Sequence, residues 1–565
     1  MKLTQKDRER IKAEIHSHWP GAQRQWSRFL LLNDPDLSDE VPSVAQISLS
    51  TRQVTLNAAL IAKHHLFECI EALLAHEIGH HVRYPGTLVV EARMRMLERS
   101  IIPLDGYSLT NVFQDLMINQ HLGQNEELQS QLIQIYQAFT SEPAFHAEMR
   151  WKRDPAFVFY MALYEAIWQL PAATLIGEIE QEFREAFPGY RAEAHVLVHN
   201  LFSMEPNLYA QFLYFTSVMS RYLKPMIDQQ LQQWMACQCG RDTPSPGDWA
   251  DALTPTDAER QAIERAIEAG WFEEDQADRL RKLNELEERI ANLPGFGTDD
   301  AAQIPEVMAA HYRELAERYL VKPPALPRFG EAIVPTTLDE WEQADPISEI
   351  DWITTLMQRG PELGVAQPLK RTRVAEQEGY DIRLWQPRVE IYLDVSGSMP
   401  NPIYHLNAMT LAAQILTLAT TRAGGSVRVA LYSSKPVLYW SWCRSEIEIS
   451  RFLMHYIGAG TDFPFQLLSK SCHECVADKP IRIVISDSDF DHNFEAHPDN
   501  RGIFISAAEE SAHWILLQHR PDRERVKLYE SLGAKVICIE ELTDFPRLAT
   551  ELSASLFPAD NQRTT

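Results

Sequence analysis

Two short stretches of this chain carry side chains whose types and spacing suit metal chemistry. The first is Leu73-Leu74-Ala75-His76-Glu77-Ile78-Gly79-His80-His81. Histidines four apart on a helix share a face, so His76 and His80 can reach one Zn²⁺. Glu77, between them, is placed to take a proton from a water on that ion. The second is Val389-Glu390-Ile391-Tyr392-Leu393-Asp394-Val395-Ser396-Gly397-Ser398, an apolar run ending in a carboxylate and two hydroxyls spaced by one residue. Small oxygen ligands on a tight turn suit a hard cation such as Mg²⁺.

Each stretch needs residues from elsewhere. A zinc site that does chemistry takes three protein ligands and leaves the fourth position open. Asn111, Asp115 and Asn119 stand four apart and make a polar stripe on an otherwise apolar helix. Buried polar stripes need partners, which a metal and its supporting hydrogen bonds would supply. Asp115 is therefore the expected third ligand and Glu91 the alternative, with His81 read as a surface or supporting residue. For the second stretch, Gly458-Ala459-Gly460-Thr461-Asp462 offers a hydroxyl on a Gly-rich loop, and Ile481-Arg482-Ile483-Val484-Ile485-Ser486-Asp487 is another apolar run ending in a carboxylate.

The elements that must hold these groups follow from periodicity. Residues 68–82 are apolar at helical spacing and close near Tyr84-Pro85-Gly86, where Pro and Gly stop helices. Gln46 to Asn57 alternates and reads as a hairpin, after an opening helix over 7–18. The run before Asp394 reads as a buried parallel strand feeding a helix, and ligands gather at the carboxyl ends of such strands. Helices over 404–422, 462–476 and 544–556, with strands over 426–433, 481–487, 512–517 and 535–539, complete a doubly wound sheet.

In that order, the second set resembles the von Willebrand factor A (VWA) domain and its metal-ion-dependent adhesion site, over Arg388 to Phe557. The resemblance implies Mg²⁺ at Asp394, Ser396, Ser398, Thr461 and Asp487, with one coordination position left for an Asp or Glu of a partner. The family usually has Asp-Gly at the last of these, whereas this chain has Asp487-Ser488-Asp489, a departure that bears on the turn rather than the ligand. His-Glu-x-x-His followed by Asn-x-x-x-Asp-x-x-Ile-Asn, over about residues 60 to 125, resembles a family of bacterial metallopeptidase-like chains in which this region precedes a VWA-like domain. Chains of this type resemble those that work with MoxR-type AAA+ ATPases, which implies such a partner.

Composition bounds the rest. A formal charge of −26 disfavours nucleic acid as a partner, because a phosphate lattice would repel the chain. Seven scattered cysteines do not look like a disulfide framework, so a cytoplasmic protein is expected. Cys237 with Cys239, and Cys472 with Cys475, are read as free thiols. The most apolar window, 158–177, contains Glu165, Gln169 and Pro171, and reads as a buried helix rather than a membrane span. From Pro155 to Met235 the pattern is helical, and its aromatics at helical spacing (Phe157, Phe159, Tyr160, Tyr164, Trp168, Phe183 and Phe187) are assigned to the core. The expected architecture is multidomain α/β: a metallopeptidase-like region over 1–150, a helical extension over 151–240, acidic helices over 257–320, a linker and approach segment over 321–387, and the doubly wound VWA domain over 388–557. Pro- and Gly-rich linkers are expected at Gly240–Thr256 and Leu320–Pro346, and two charged helices over 257–293 with a break near Ala269-Gly270-Trp271. Three functions fit: a zinc peptidase whose VWA domain recruits a substrate or an AAA+ ATPase, a non-catalytic adaptor of that ATPase with a structural zinc, or a metal-chelatase-type subunit. The intact His-Glu-x-x-His counts against the last.

Overall fold

The computed structural model describes residues 4–102, 108–141, 154–228, 243–296, 303–320, 335–359, 367–373, 386–434, 437–474 and 479–557. The chain is mostly helical up to residue 320 and ends in an α/β sheet domain. A capping box, Thr4 with Asp7, opens the first helix, Gln5–Arg24. A small sheet follows, in the order β1-β3-β2, from β1 (Asp36–Leu37), β2 (Ala45–Ile47) and β3 (Val54–Leu56). The antiparallel β2–β3 pair is the expected hairpin. The two-residue strand β1 adds parallel to β3, and its length leaves no period to read.

Three helices then set up the first candidate site. The histidine helix, Ile70–Val82, buries Leu74, Ala75 and Ile78. The aspartate helix, Leu109–Leu122, is fixed at its start by Ser108, whose side chain accepts from the Asn111 N–H, and by buried Glu98, which accepts from the Leu109 and Thr110 N–H groups. Gly79 lets these two helices approach. A Cβ there would stand 2.5 Å from the Trp26 ring and 2.9 Å from Ile118. The tyrosine helix, Pro155–Ile167, starts on an Asp154 cap with Pro155 in its first turn and is buried from Pro155 to Ala166. It ends ten residues before the expected limit, where Gln169 takes a positive φ of 52°.

The carboxy-terminal sheet has six strands: β6 (Arg388–Asp394), β7 (Ser426–Tyr432), β8 (Leu438–Cys443), β9 (Ile481–Ser486), β10 (His513–His519) and β11 (Lys535–Ile539). Their order is β11-β10-β9-β6-β7-β8, all parallel except β8 at one edge. This is a doubly wound sheet with its order reversing at β6. Val389, Ile391 and Leu393 face one core and Tyr392 the opposite one, so both faces are covered and the strand reads as apolar apart from Glu390. Glu390, fully buried on the Tyr392 side, is matched by Ser471 at 2.6 Å and by Arg482 at 3.0 Å.

The middle of the chain departs from the expected linkers. Residues 240–242 lie outside the described part, as do Cys237, Cys239 and Cys475. From Ser245 the chain forms a helix, Pro246–Ala252, with Trp249 buried. The Ser, Pro and Asp that suggested a linker are here a capping box and a first-turn proline. Of the second linker, 321–334 lie outside the described residues, while β4 (Pro335–Glu340) pairs antiparallel with β5 (Leu369–Arg373). The charged stretch breaks at Gly270 as expected, but a second break at Leu283–Glu285 makes three helices, Asp257–Glu268, Glu274–Lys282 and Leu286–Ala291. The first two face the amino-terminal core. Ile290 and Leu293 instead join Trp249, the helix Ile304–Tyr319 and the sheet domain in the second core, which also takes in Ala92 and Met96. Arg289, buried where these parts meet, binds Glu259 at 2.8 Å.

Candidate metal centres

His76, His80 and Asp115 converge. Among the described residues they form the group of His, Cys, Asp or Glu side chains whose ligand atoms come together at one point. His76 Nε2 and His80 Nε2 are 3.2 Å apart, and Asp115 Oδ1 stands 3.5 Å from the first and 3.2 Å from the second. Ligands about 2.0–2.1 Å from a tetrahedral zinc stand about 3.3–3.4 Å from one another, so this triangle is one face of such a tetrahedron.

The surrounding hydrogen bonds fix which ring atoms face inward. His76 Nδ1 lies 2.8 Å from Asn119 Oδ1, and His80 Nδ1 lies 2.7 Å from the Tyr84 carbonyl. Both Nδ1 atoms therefore carry the proton, leaving both Nε2 lone pairs aimed at the Asp115 oxygen and at each other. Three acceptors at such distances require a cation or a proton between them. Burial favours the neutral ring of His76, but the hydrogen bond and charge of Asp115 outweigh it and raise its pKa. Burial likewise opposes ionisation of Asp115, and the two histidines overcome it and lower its pKa. The polar stripe is fully used: Asn111 reaches Asp115 Oδ2 at 3.4 Å, and Asn119 holds His76. Glu77 is buried in the same helix, near enough for its charge to act on His76. Glu91 lies outside the group; its carboxylate accepts from Arg95 at 2.8 Å and from Gln114 at 2.7 Å. His81 also lies outside it.

The second set gathers at the carboxyl ends of β6 and β9. Asp394 accepts from the Ser396 N–H at 3.0 Å and from the Ser486 hydroxyl at 2.9 Å. Ser396 Oγ is 3.0 Å from Ser398 Oγ, which donates to Asp487 Oδ2 at 2.9 Å. The Gly-rich loop is laced onto this turn by Gly397 N–H to the Ala459 carbonyl, 2.7 Å, and Gly458 N–H to the Val395 carbonyl, 3.0 Å. Gly458 sits at φ +69°, and a Cβ on Gly397 would stand 3.2 Å from its carbonyl oxygen. Thr461 joins through Asp489, at 3.3 Å.

Ser488 occupies an ordinary right-handed helical conformation, and the Asp489 N–H bonds Asp487 Oδ1 at 2.9 Å. The turn thus needs no glycine. Burial raises the Asp394 pKa to about 6, and the charge of Asp487 adds to the effect. Small oxygen ligands around buried carboxylates form a donor set that fits a hard divalent cation.

No protein-family profile matches this chain, and no curated protein matches it. Solved structures match part of the chain weakly. One is a von Willebrand factor type A protein from Catenulispora acidiphila, with 15% identity and a TM-score of 0.22 over 30% of this chain. The match spans 42% of that protein's length. Another is an aerotolerance-related membrane protein from Bacteroides fragilis NCTC 9343 carrying multiple mutations to serines, with 13% identity and a TM-score of 0.21 over 30% of this chain and 99% of the other. Among the described residues, no helix of this chain is long and apolar enough to cross a membrane.

Two features of the sites were not anticipated. Asp489 enters the second one, and its signal was the Asp-Ser-Asp tripeptide itself. Tyr136, Tyr160 and Tyr164 stand behind Asn119; the spacing of Tyr160 and Tyr164 indicated only that they were buried, and Tyr136 was not singled out.

Proposed function

We propose that the chain is a zinc-dependent hydrolase of peptide bonds that carries a separate Mg²⁺-dependent docking site. The observation that carries this reading is the triangle of His76 Nε2, His80 Nε2 and Asp115 Oδ1, with Glu77 on the same helix. Zinc held there would polarise a carbonyl and make a water acidic enough to be used at neutral pH. Asn119 and the Tyr84 carbonyl hold the two rings by Nδ1, so that both Nε2 atoms would face an ion bound there, and Glu77 would accept the water's proton. Asp394, Ser396, Ser398, Thr461 and Asp487 would hold Mg²⁺ for a protein partner, by resemblance a MoxR-type AAA+ ATPase. The test is a purified full-length Glu77→Gln variant: zinc content should equal the parent's while cleavage of an unfolded protein substrate is lost. Equal cleavage by both proteins would refute the assignment of Glu77.

One observation favours a second reading, a non-catalytic adaptor with a structural zinc. His80 is 0% exposed, Asp115 7% and His76 12%, a tighter enclosure than a site open to a polypeptide needs. Zinc retained by both proteins with no cleavage by either would support it.

A further inference from the structure

A hydroxyl that turns a lone pair toward a cation must send its proton to another acceptor. At the sheet-edge site Ser398 has one, since it donates to Asp487 Oδ2 at 2.9 Å. Thr461 donates to Asp489 Oδ2 at 3.3 Å. That bond is long for a hydroxyl donor, and the charge of its acceptor is what gives it strength. The two side chains are brought together by bonds other than their own. The Asp489 N–H bonds Asp487 Oδ1 at 2.9 Å, which seats the helix Asp489–Glu495 on the turn after β9. One turn along that helix is Asn493, only 8% exposed. Its Nδ2 donates to the Asp489 carbonyl at 2.9 Å, and its Oδ1 accepts from the Phe463 N–H at 3.1 Å. The same amide therefore grips the helix that carries Asp489 and the loop that carries Thr461. The loop is also tied to the end of β7, where Ser433 Oγ donates to the Gly460 carbonyl at 2.8 Å and the Asp462 N–H bonds the Ser433 carbonyl at 2.9 Å.

We infer that Asp489 is a positioning residue for the cation site: its carboxylate takes the Thr461 proton and so keeps that hydroxyl's lone pair turned toward an ion bound by Asp394, Ser396, Ser398 and Asp487. The inference rests on the Mg²⁺ reading of the site and adds to it the group that makes Thr461 a ligand. Asp487 and Asp489 then have separate roles, the first orienting Ser398 and the second Thr461. It also gives a reason for a carboxylate two residues after Asp487, on a turn that needs no glycine. Outer partners that orient a metal's ligands typically change its affinity by about 10–100-fold.

The test uses the full chain, already supplied with zinc and titrated calorimetrically with Mg²⁺ at pH 7.5. Asp489→Ala should bind Mg²⁺ about tenfold more weakly than the parent, and Thr461→Ala should do the same. The deciding measurement is the double variant. Because Asp489 acts through Thr461, adding Asp489→Ala to Thr461→Ala should weaken binding by no more than about threefold, the residue of its direct attraction for the ion. Should Asp489→Ala not fold, the same cycle with Asp489→Asn, which keeps the shape and removes the charge, should show a loss that shrinks when residue 461 is alanine. Losses that simply add, or parent-like affinity in folded Asp489→Ala, would overturn the role of Asp489 and leave the Mg²⁺ reading standing. A parent protein that binds no Mg²⁺ would overturn both.

Discussion

If the sheet-edge site binds Mg²⁺ as proposed, the buried carboxylate of Asp394 makes that binding depend on pH in a calculable way. Burial raises its pKa to about 6, with the Asp487 charge adding to the effect, so the cation-free site holds a proton in mildly acidic solution. Mg²⁺ bound there would have to displace that proton. At pH 5 about nine in ten molecules are protonated, and the apparent affinity should be about tenfold lower than at pH 7.5, roughly 1.4 kcal/mol. The sign for folding follows from the same shift. A carboxylate whose pKa is raised on folding favours the folded state below its unfolded pKa, and that advantage is lost as pH rises through the folded value. The cation-free protein should therefore lose up to about 3 kcal/mol between about pH 4 and 6.5, which Mg²⁺ restores. The assay is calorimetric titration of the full chain with Mg²⁺ at pH 5.0 and 7.5 and constant ionic strength, in buffers of different ionisation enthalpy. About one proton per cation should be released at pH 5 and almost none at pH 7.5. Asp394→Asn should abolish both the release and the pH dependence. An affinity equal at the two pH values, with no proton released, would refute the reasoning.

Other expectations concern the amino-terminal site. Gly79→Ala places a methyl group against Trp26 and Ile118, so thermal melting should show a loss of about 1–3 kcal/mol, and zinc affinity should fall as the histidine and aspartate helices are pushed apart. Asn119→Ala takes the oxygen from His76 Nδ1 and two protons from Tyr136 and Tyr164; zinc affinity, by chelator competition, should drop about 10–100-fold.

The sequence made the carboxy-terminal sheet domain readable because its central strands are buried on both faces. Val389 to Leu393 and Ile481 to Ile485 are therefore apolar runs, each broken by one charged residue, Glu390 and Arg482, which pair with each other at 3.0 Å, and each run leads to its ligands. The edge strand β8, Leu-Tyr-Trp-Ser-Trp-Cys, is only partly covered, has no such run and escaped notice. The helix expected from Asp462 begins at Phe465, because Pro464 disfavours helix in the residue before it. The histidine pair and Asp115 were legible from spacing of four, a local property. The bond from Asn119 to Tyr164 spans 45 positions and was not legible, since no local period records which distant hydroxyls a buried amide will meet. Pro246–Ala252 was misread for a different reason: helix-capping residues and linker residues are the same amino acids, and only the burial of Trp249 separates the two cases.

The account turns on His76, His80 and Asp115 holding one metal ion. The direct measurement is zinc per chain, by elemental analysis after dialysis against a weak chelator, in the parent and in folded Asp115→Ala. The geometry predicts one zinc in the parent and none retained by the variant, with magnesium binding at the Asp394 site unchanged. Equal zinc in the two proteins, or none in the parent after zinc has been supplied, would contradict it.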